Sequence, residues 1–530
     1  MKICVEFQTT SGRRVASVLL AAIFLLAVAG TVAAQQLSSS QNSQSFDDNP
    51  VTTHHEISLN GKRMAYTARA GFFTLLDSSH QAKARMFYVS YTMDRGSDKT
   101  LRPLTFAWNG GPGSPASALH LGALGPRRAK TMDEYKTIPP PYELVDNEET
   151  WLAFTDLVLV DPVGTGYSYP TKPEYLKDFW SVQGDIDATG EFIRLYLAHY
   201  DVGDVPIFIA GESYGTMRAA GLAETLADRR IPLSGVILMS LVNLGPGGGG
   251  ANDLEPALSL PSYTAAAFVN QKLPADLQSD FESTLQKAET WAETGYAEAL
   301  IKGDRLTAEQ REGVVAQLAR FTGLDESFVT KTNLRITVDQ FAHQLLRDKN
   351  LELGHYGAQL TYKSASANVP YDLWADPSLF SNGISGLIVP YLRTELGFKT
   401  DARYAGPWGG GWPSPTTPRG DWTSSLWDYG PIRGSYDVMR QLAEALRRNP
   451  KLRVFVASGY YDLVTPYFSA EYMISHMDLD SALRSNVIFG RYRNGHMVYL
   501  DKTSLQQLTH DINEFMRNTQ AATRPTPSVQ

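Results

Sequence analysis

The stretch from Ile207 to Ala227, "IFIAGESYGTMRAAGLAETLA", constrains the fold of this chain more than any other. It runs from β-rich apolar residues through Gly-Glu-Ser-Tyr-Gly into residues with helical spacing. A strand that reverses at once into a helix needs little side-chain bulk at the turn, and Gly211 and Gly215 supply that on either side of Ser213. G-x-S-x-G in this setting is a nucleophile elbow, which lifts a serine oxygen above the end of a sheet. Without the flanking strand and helix it is an incidental match.

Other segments provide the rest of a sheet. "LTFAW" before Asn109, "DLVLVD" at Asp156 to Asp161 and "PIFIAG" at Pro206 to Gly211 have the apolar character of buried strands. "DFWSVQGDIDATGEFIRLYLAHY", between the last two, has helical periodicity. Strands alternating with helices indicate an α/β fold with a mixed, mostly parallel central sheet. From Ile57, apolar and polar residues alternate around Asn60-Gly61, a hairpin signature that predicts an antiparallel edge.

A nucleophilic serine needs a base, and in this architecture the order is Ser, then Asp or Glu, then His. "LRVFVASGYYDLVTPY" is an apolar strand followed by a loop with Asp462, and "SNVIFGRYRNGHMVYL" is another followed by a loop with His496. Both candidates sit just past the carboxyl end of a predicted strand, where α/β sites assemble. The Gly-rich turn "FAWNGGPGSPAS", Phe106 to Ser117, follows an earlier strand and offers backbone N–H groups to a developing oxyanion.

Composition removes several classes of function. The 530 residues carry a formal charge of −8 and no lysine or arginine run, which argues against a nucleic-acid partner. The one cysteine, Cys4, lies in the amino-terminal segment, so thiol catalysis, cysteine-bound metal and an intrachain disulfide are not expected. Neither a cofactor nor a metal is predicted. The His54-His55 pair lacks a further spaced ligand and is expected to be exposed linker.

"GRRVASVLLAAIFLLAVAGTVAAQQ" places two arginines before an apolar run that ends in small residues, the pattern of a signal peptide cleaved after Ala34. Export without a stable membrane anchor follows, with the twin-arginine route left open by Arg13-Arg14. The expected organisation is a signal over 1–34, a disordered linker over 35–55, core over 56–245 and 436–520, and a disordered tail over 521–530. A helical cap fills 246–435, because about 250 residues separate Ser213 from Asp462 and "AETWAETGYAEALIKGDRLTAEQREGVVAQLARFTGL" has amphipathic spacing. "YAGPWGGGWPSPTTPRGDWTSSLWDYG", from Tyr404, is expected to be a long loop.

Five segments together resemble the successive motifs of the serine carboxypeptidases: "NGGPGS" (Asn109 to Ser114), "DPVGTGYS" (Asp161 to Ser168), "GESYG" (Gly211 to Gly215), "GYYDLVTP" (Gly459 to Pro466) and "NGHMV" (Asn494 to Val498). The resemblance implies an α/β-hydrolase fold, with Ser213 as nucleophile, His496 as general base and acid, and Asp462 as its orienter. It also implies an oxyanion hole from the N–H groups of Gly111 and Tyr214, a terminal-carboxylate site at Asn109 and Glu212, and removal of C-terminal residues from peptides. Two departures stand out. Eukaryotic members have cysteine at the position of Ser114, and members reading E-L-G-P have glutamate where "ALGP" places Ala123. "HLGALGPRR" is more similar to bacterial members. The same triad would also serve an esterase or acyltransferase, and a non-catalytic peptide-binding protein is a third class.

Overall fold

The computed structural model describes residues 48–59, 61–94, 102–130, 141–242, 253–363, 376–380, 383–406 and 438–523. The chain divides into two compact units. One is Asp48–Leu75 with Lys83–Gln530; the other is Met1–Asp47 with Leu76–Ala82. The described part of the second is a turn in which Asp77 Oδ1 accepts the N–H groups of Ser79 and Gln81 at 2.8 and 2.9 Å. The expected signal, residues 407–437 of the expected Trp/Gly/Pro loop and residues 524–530 of the expected tail lie outside the described residues, whereas 521–523, expected as disordered tail, end the last helix.

Nine strands form the main path of the large sheet: β1 (Val51–Leu59), β2 (Lys62–Leu76), β3 (Ala82–Met93), β4 (Leu104–Trp108), β5 (Asp156–Val160), β6 (Ile207–Glu212), β7 (Gly235–Met239), β8 (Arg453–Gly459) and β9 (Val487–Tyr492). Their order is β1-β2-β3-β5-β4-β6-β7-β8-β9. From β5 to β9 every neighbouring pair is parallel, whereas β1 and β3 run antiparallel to β2 and β5 respectively. This is the mixed, mostly parallel α/β-hydrolase sheet expected from the sequence. Gly61, in the left-handed region at φ 75°, closes the expected hairpin with Leu59 opposite Lys62.

Strand alternation divides the core in two. Phe106, Val158, Ile209, Val236 and Val454 face one layer, with helices α1 (Val182–Tyr200), α2 (Tyr214–Asp228) and α7 (Val438–Arg448). Ala107, Leu159, Phe208, Ile237 and Phe455 face the other, with Leu119–Leu124, α6 (Ile384–Thr394) and α8 (Lys502–Thr523). Both faces are covered, which is why β4, β6 and β7 are buried along their whole length. Ser181 starts α1 by accepting the Gly184 N–H at 3.0 Å.

Between β7 and β8 the chain builds a third apolar cluster, around α3 (Leu254–Val269), α4 (Phe281–Trp291) and α5 (Ala308–Thr322). Tyr460, Tyr461 and Leu463, which surround Asp462, pack into that cluster. Two boundaries differ from expectation. Val51–His55 was expected as linker but belongs to β1, where His54 pairs with Thr67 at 3.1 Å and His55 with Thr53 at 2.7 Å. The segment has the composition of a linker because an edge strand with one wet face is rich in polar residues. Within 246–435, α6 packs on the hydrolase core through Ile384, Ile388, Tyr391 and Leu392, not on the third cluster.

Candidate active site

Ser213 sits between β6 and α2 with φ 56° and ψ −130°, a strained conformation for a residue with a Cβ. Its side chain makes no capping bond to α2, so the hydroxyl is not consumed by the helix it starts. A Cβ on Gly211 would lie 2.0 Å from the Gly215 carbonyl oxygen, so the reversal tolerates only glycine there. The Ser213 N–H bonds the Met239 carbonyl at 2.9 Å, and the next residue, Ser240, donates its hydroxyl to the His496 carbonyl at 2.5 Å. The elbow and the histidine loop are thereby tied through the end of β7.

His496 is buried, and its Nδ1 lies 2.7 Å from Asp462 Oδ2. A carboxylate only accepts, so Nδ1 carries the proton and Nε2 presents its lone pair. Asp462, with no exposed surface, is held by the N–H groups of Val464 and Thr465 on Oδ1, at 2.8 and 2.9 Å, and by the Thr465 hydroxyl on Oδ2. Burial pulls the His496 imidazole down, but the charges of Asp462 and Glu212 and the hydrogen bond to Asp462 outweigh it, leaving it above the usual histidine value.

The segment from His355 to Gln359 is laid across both loops. Its carbonyls at His355 and Tyr356 accept the N–H groups of Leu463 and His496 at 3.0 and 2.6 Å, and the Ala358 N–H donates to Tyr461 at 2.9 Å. Gln359 Nε2 adds a bond to Asn494 Oδ1 at 2.9 Å. The Tyr356 ring stands edge-on to the imidazole, with centroids 5.1 Å apart at 86°.

The Gly-rich turn abuts the elbow. A Cβ on Gly110 would come within 2.4 Å of the Tyr214 nitrogen, so the absence of a side chain allows the turn carrying Gly111 to approach the first turn of α2. Asp161, of the "DPVGTGYS" motif, supports the turn by accepting the Ala116 N–H at 2.9 Å, and burial pushes its carboxyl up to about 7. Asn109 Nδ2 donates to Glu212 Oε1 at 3.0 Å, while Asn109 Oδ1 accepts the Leu119 N–H at 3.0 Å. Glu212 Oε2 receives the Tyr499 hydroxyl. Burial raises the Glu212 carboxyl above its ordinary range, only partly opposed by His496 and by hydrogen bonds from Tyr499 and Asn109.

Four neighbours escaped the sequence reading: Thr465, Tyr356, Tyr499 and Arg218. The Arg218 guanidinium is buried, bonds Asp185 Oδ2 at 2.8 Å and donates to the Asn109 carbonyl at 3.0 Å. A lone arginine among the Ala, Gly and Leu of α2 was the available signal for it. Among the described residues, no group of three or more His, Cys, Asp or Glu side chains is placed to hold a metal, and no helix is long and apolar enough to cross a membrane.

Comparison with known proteins agrees with this architecture. The family model described as serine carboxypeptidase matches residues 60–299, which include Asn109, Gly111, Glu212, Ser213 and Tyr214 but neither Asp462 nor His496. The pheromone-processing carboxypeptidase kex1 of Aspergillus niger is 33% identical over 142 residues, 26% of this chain and 21% of that protein. The corresponding Fusarium vanettenii protein is 29% identical over 226 residues, 41% of this chain and 32% of that one. Serine carboxypeptidase-like 5 of Arabidopsis thaliana is 30% identical over 139 residues, 26% and 30% of the two chains. The match thus spans about a fifth to a third of the length of these relatives. The crystal structure of Kex1(Δ)p, a prohormone-processing carboxypeptidase from Saccharomyces cerevisiae, shares the fold with a TM-score of 0.52 at 15% identity, covering 85% of this chain and 91% of that one.

Proposed function

Because residues 60–299 belong to the serine carboxypeptidase family, we propose that this chain is a serine carboxypeptidase that removes C-terminal residues from peptides through an acyl-enzyme on Ser213. The observation that carries the proposal is the bond from Asn109 to Glu212 at 3.0 Å, one residue before the candidate nucleophile. His496 Nε2 takes the proton as Ser213 Oγ attacks the last peptide carbonyl, then gives it to the departing amine. Water repeats the cycle in reverse and releases the shortened peptide. The N–H groups of Gly111 and Tyr214 receive the oxyanion. The Asn109 amide and a protonated Glu212 receive the substrate's terminal carboxylate, which distinguishes an exopeptidase from an esterase with the same triad.

The helices between β7 and β8 cap the site, and cleavage after Ala34 delivers the enzyme outside the cytoplasm. These two assignments rest on chain order and on the amino-terminal sequence. The test is a matched pair of peptides, free acid and C-terminal amide. Each charge-assisted bond to the carboxylate is worth about 1.5–3 kcal/mol, so the acid should be hydrolysed with a kcat/KM roughly ten- to a hundredfold higher, and Asn109→Ala should narrow the gap. Equal rates at every pH would favour an esterase. Ser213→Ala, losing about 10⁴-fold or more, shows that hydrolysis belongs to this site.

A further inference from the structure

Glu212 is enclosed by two neutral donors from distant parts of the chain. Asn109 Nδ2 bonds one carboxyl oxygen at 3.0 Å and the Tyr499 hydroxyl bonds the other. The Asn109 side chain also meets the Tyr499 hydroxyl, closing the three groups into one cluster. The Tyr499 ring is buried and lies against Gly122, where a Cβ would come within 2.7 Å of it. Ala123, the next residue, is the position at which the family resemblance leads one to expect a glutamate. A second acid beside Glu212 would share a proton with it; a phenol instead stays neutral and donates.

Resting on the carboxypeptidase assignment, we infer that Tyr499 is a positioning residue of the carboxylate site: in place of a second acid, its hydroxyl fixes Glu212 beside Asn109 and sets the pH above which free-acid substrates lose their advantage. The other groups facing Glu212 are His496, whose charge favours the ionised carboxylate, and Asp462, whose charge opposes it. Burial and the Glu212 charge keep the Tyr499 hydroxyl well above the usual tyrosine range, so it remains a donor across the working pH of a peptidase. A donor to the ionised carboxylate favours ionisation, so its loss moves the Glu212 midpoint upward.

Tyr499→Phe keeps the ring against Gly122 and deletes only the hydroxyl. The protonated-carboxyl infrared band of Glu212, identified by its disappearance in Glu212→Gln, should titrate about one to two pH units higher in Tyr499→Phe than in the wild type. The pH at which free-acid peptides lose their kcat/KM advantage over amides should move in the same direction. In a Glu212→Gln background, Tyr499→Phe should change the acid-to-amide ratio much less than it does in the wild type. An infrared midpoint that stays put or falls overturns the inference. So does an equal change of that ratio in both backgrounds, which would make the tyrosine a packing residue. A wild type that never prefers the free acid overturns the carboxypeptidase assignment instead, and the infrared midpoint still decides whether Tyr499 governs Glu212.

Discussion

A general base works only while it is unprotonated, so the surroundings of His496, the proposed base, determine where activity should be lost on the acid side. Burial lowers its pKa, yet the charge of Asp462 and the hydrogen bond to it, joined by Glu212 when that carboxyl is ionised, hold it above the ordinary histidine value. A raised pKa means that the inactive imidazolium persists to higher pH. For ester and amide substrates, kcat/KM should therefore fall as pH drops through a value above 6.5, with no loss on the alkaline side from Glu212. Free-acid substrates should show a second, alkaline limb as Glu212 ionises, giving a bell. Paired pH profiles of one ester and one free-acid peptide check this, and an ester rate with no acid limb would contradict the assigned role of His496. At this scale the sequence is legible where a candidate residue closely follows an apolar strand, as Ser213, Asp462 and His496 do. Thr465 and Tyr499 carry no such mark. Tyr499 gains its relevance only because the fold brings it to Glu212, 287 positions away.

Among the elements, α2 carries more than the elbow. Its Arg218 joins α1, through Asp185, to the backbone of the Gly-rich turn at Asn109. Removing one partner of a buried pair strands the other charge and typically costs about 3–5 kcal/mol, whereas replacing both with apolar residues is often neutral. Arg218→Leu should lower stability by about that amount in urea unfolding and should reduce kcat/KM for free acids, because the Asn109 carbonyl loses its donor. Arg218→Leu with Asp185→Leu should recover most of the stability and little of the kcat/KM. Recovery of both would separate the pair from the turn. Element boundaries were legible where apolar runs are continuous, as in β4, β5 and β6. They failed at β1, whose alternating exposure leaves His54 and His55 looking like linker.

At the scale of the whole molecule, cohesion comes from burial on both faces of the sheet and in the inserted cluster, since one cysteine in 530 residues permits no intrachain disulfide. Thermal unfolding should be indifferent to reductant. A disulfide is commonly worth about 2–4 kcal/mol and its reduction would move Tm by several degrees, so a clear drop in differential scanning calorimetry would contradict the proposed covalent state. The helical insertion was legible as a gap between Ser213 and Asp462. That its far end returns to bind the two loops at His355–Gln359 was not, because those bonds are mostly between backbone groups, which no side-chain pattern announces.

That return segment makes the candidate site depend on residues spread along most of the chain. The serine elbow follows the sixth strand, and its residues are made long before the two loops that carry Asp462 and His496. Asp462 and His496 arrive later, and the carbonyls that hold their loops belong to the insertion made in between. A nascent chain shorter than 496 residues therefore carries Ser213 without the proposed base. The proposed hydrolase therefore lacks its base until nearly the whole chain has been made.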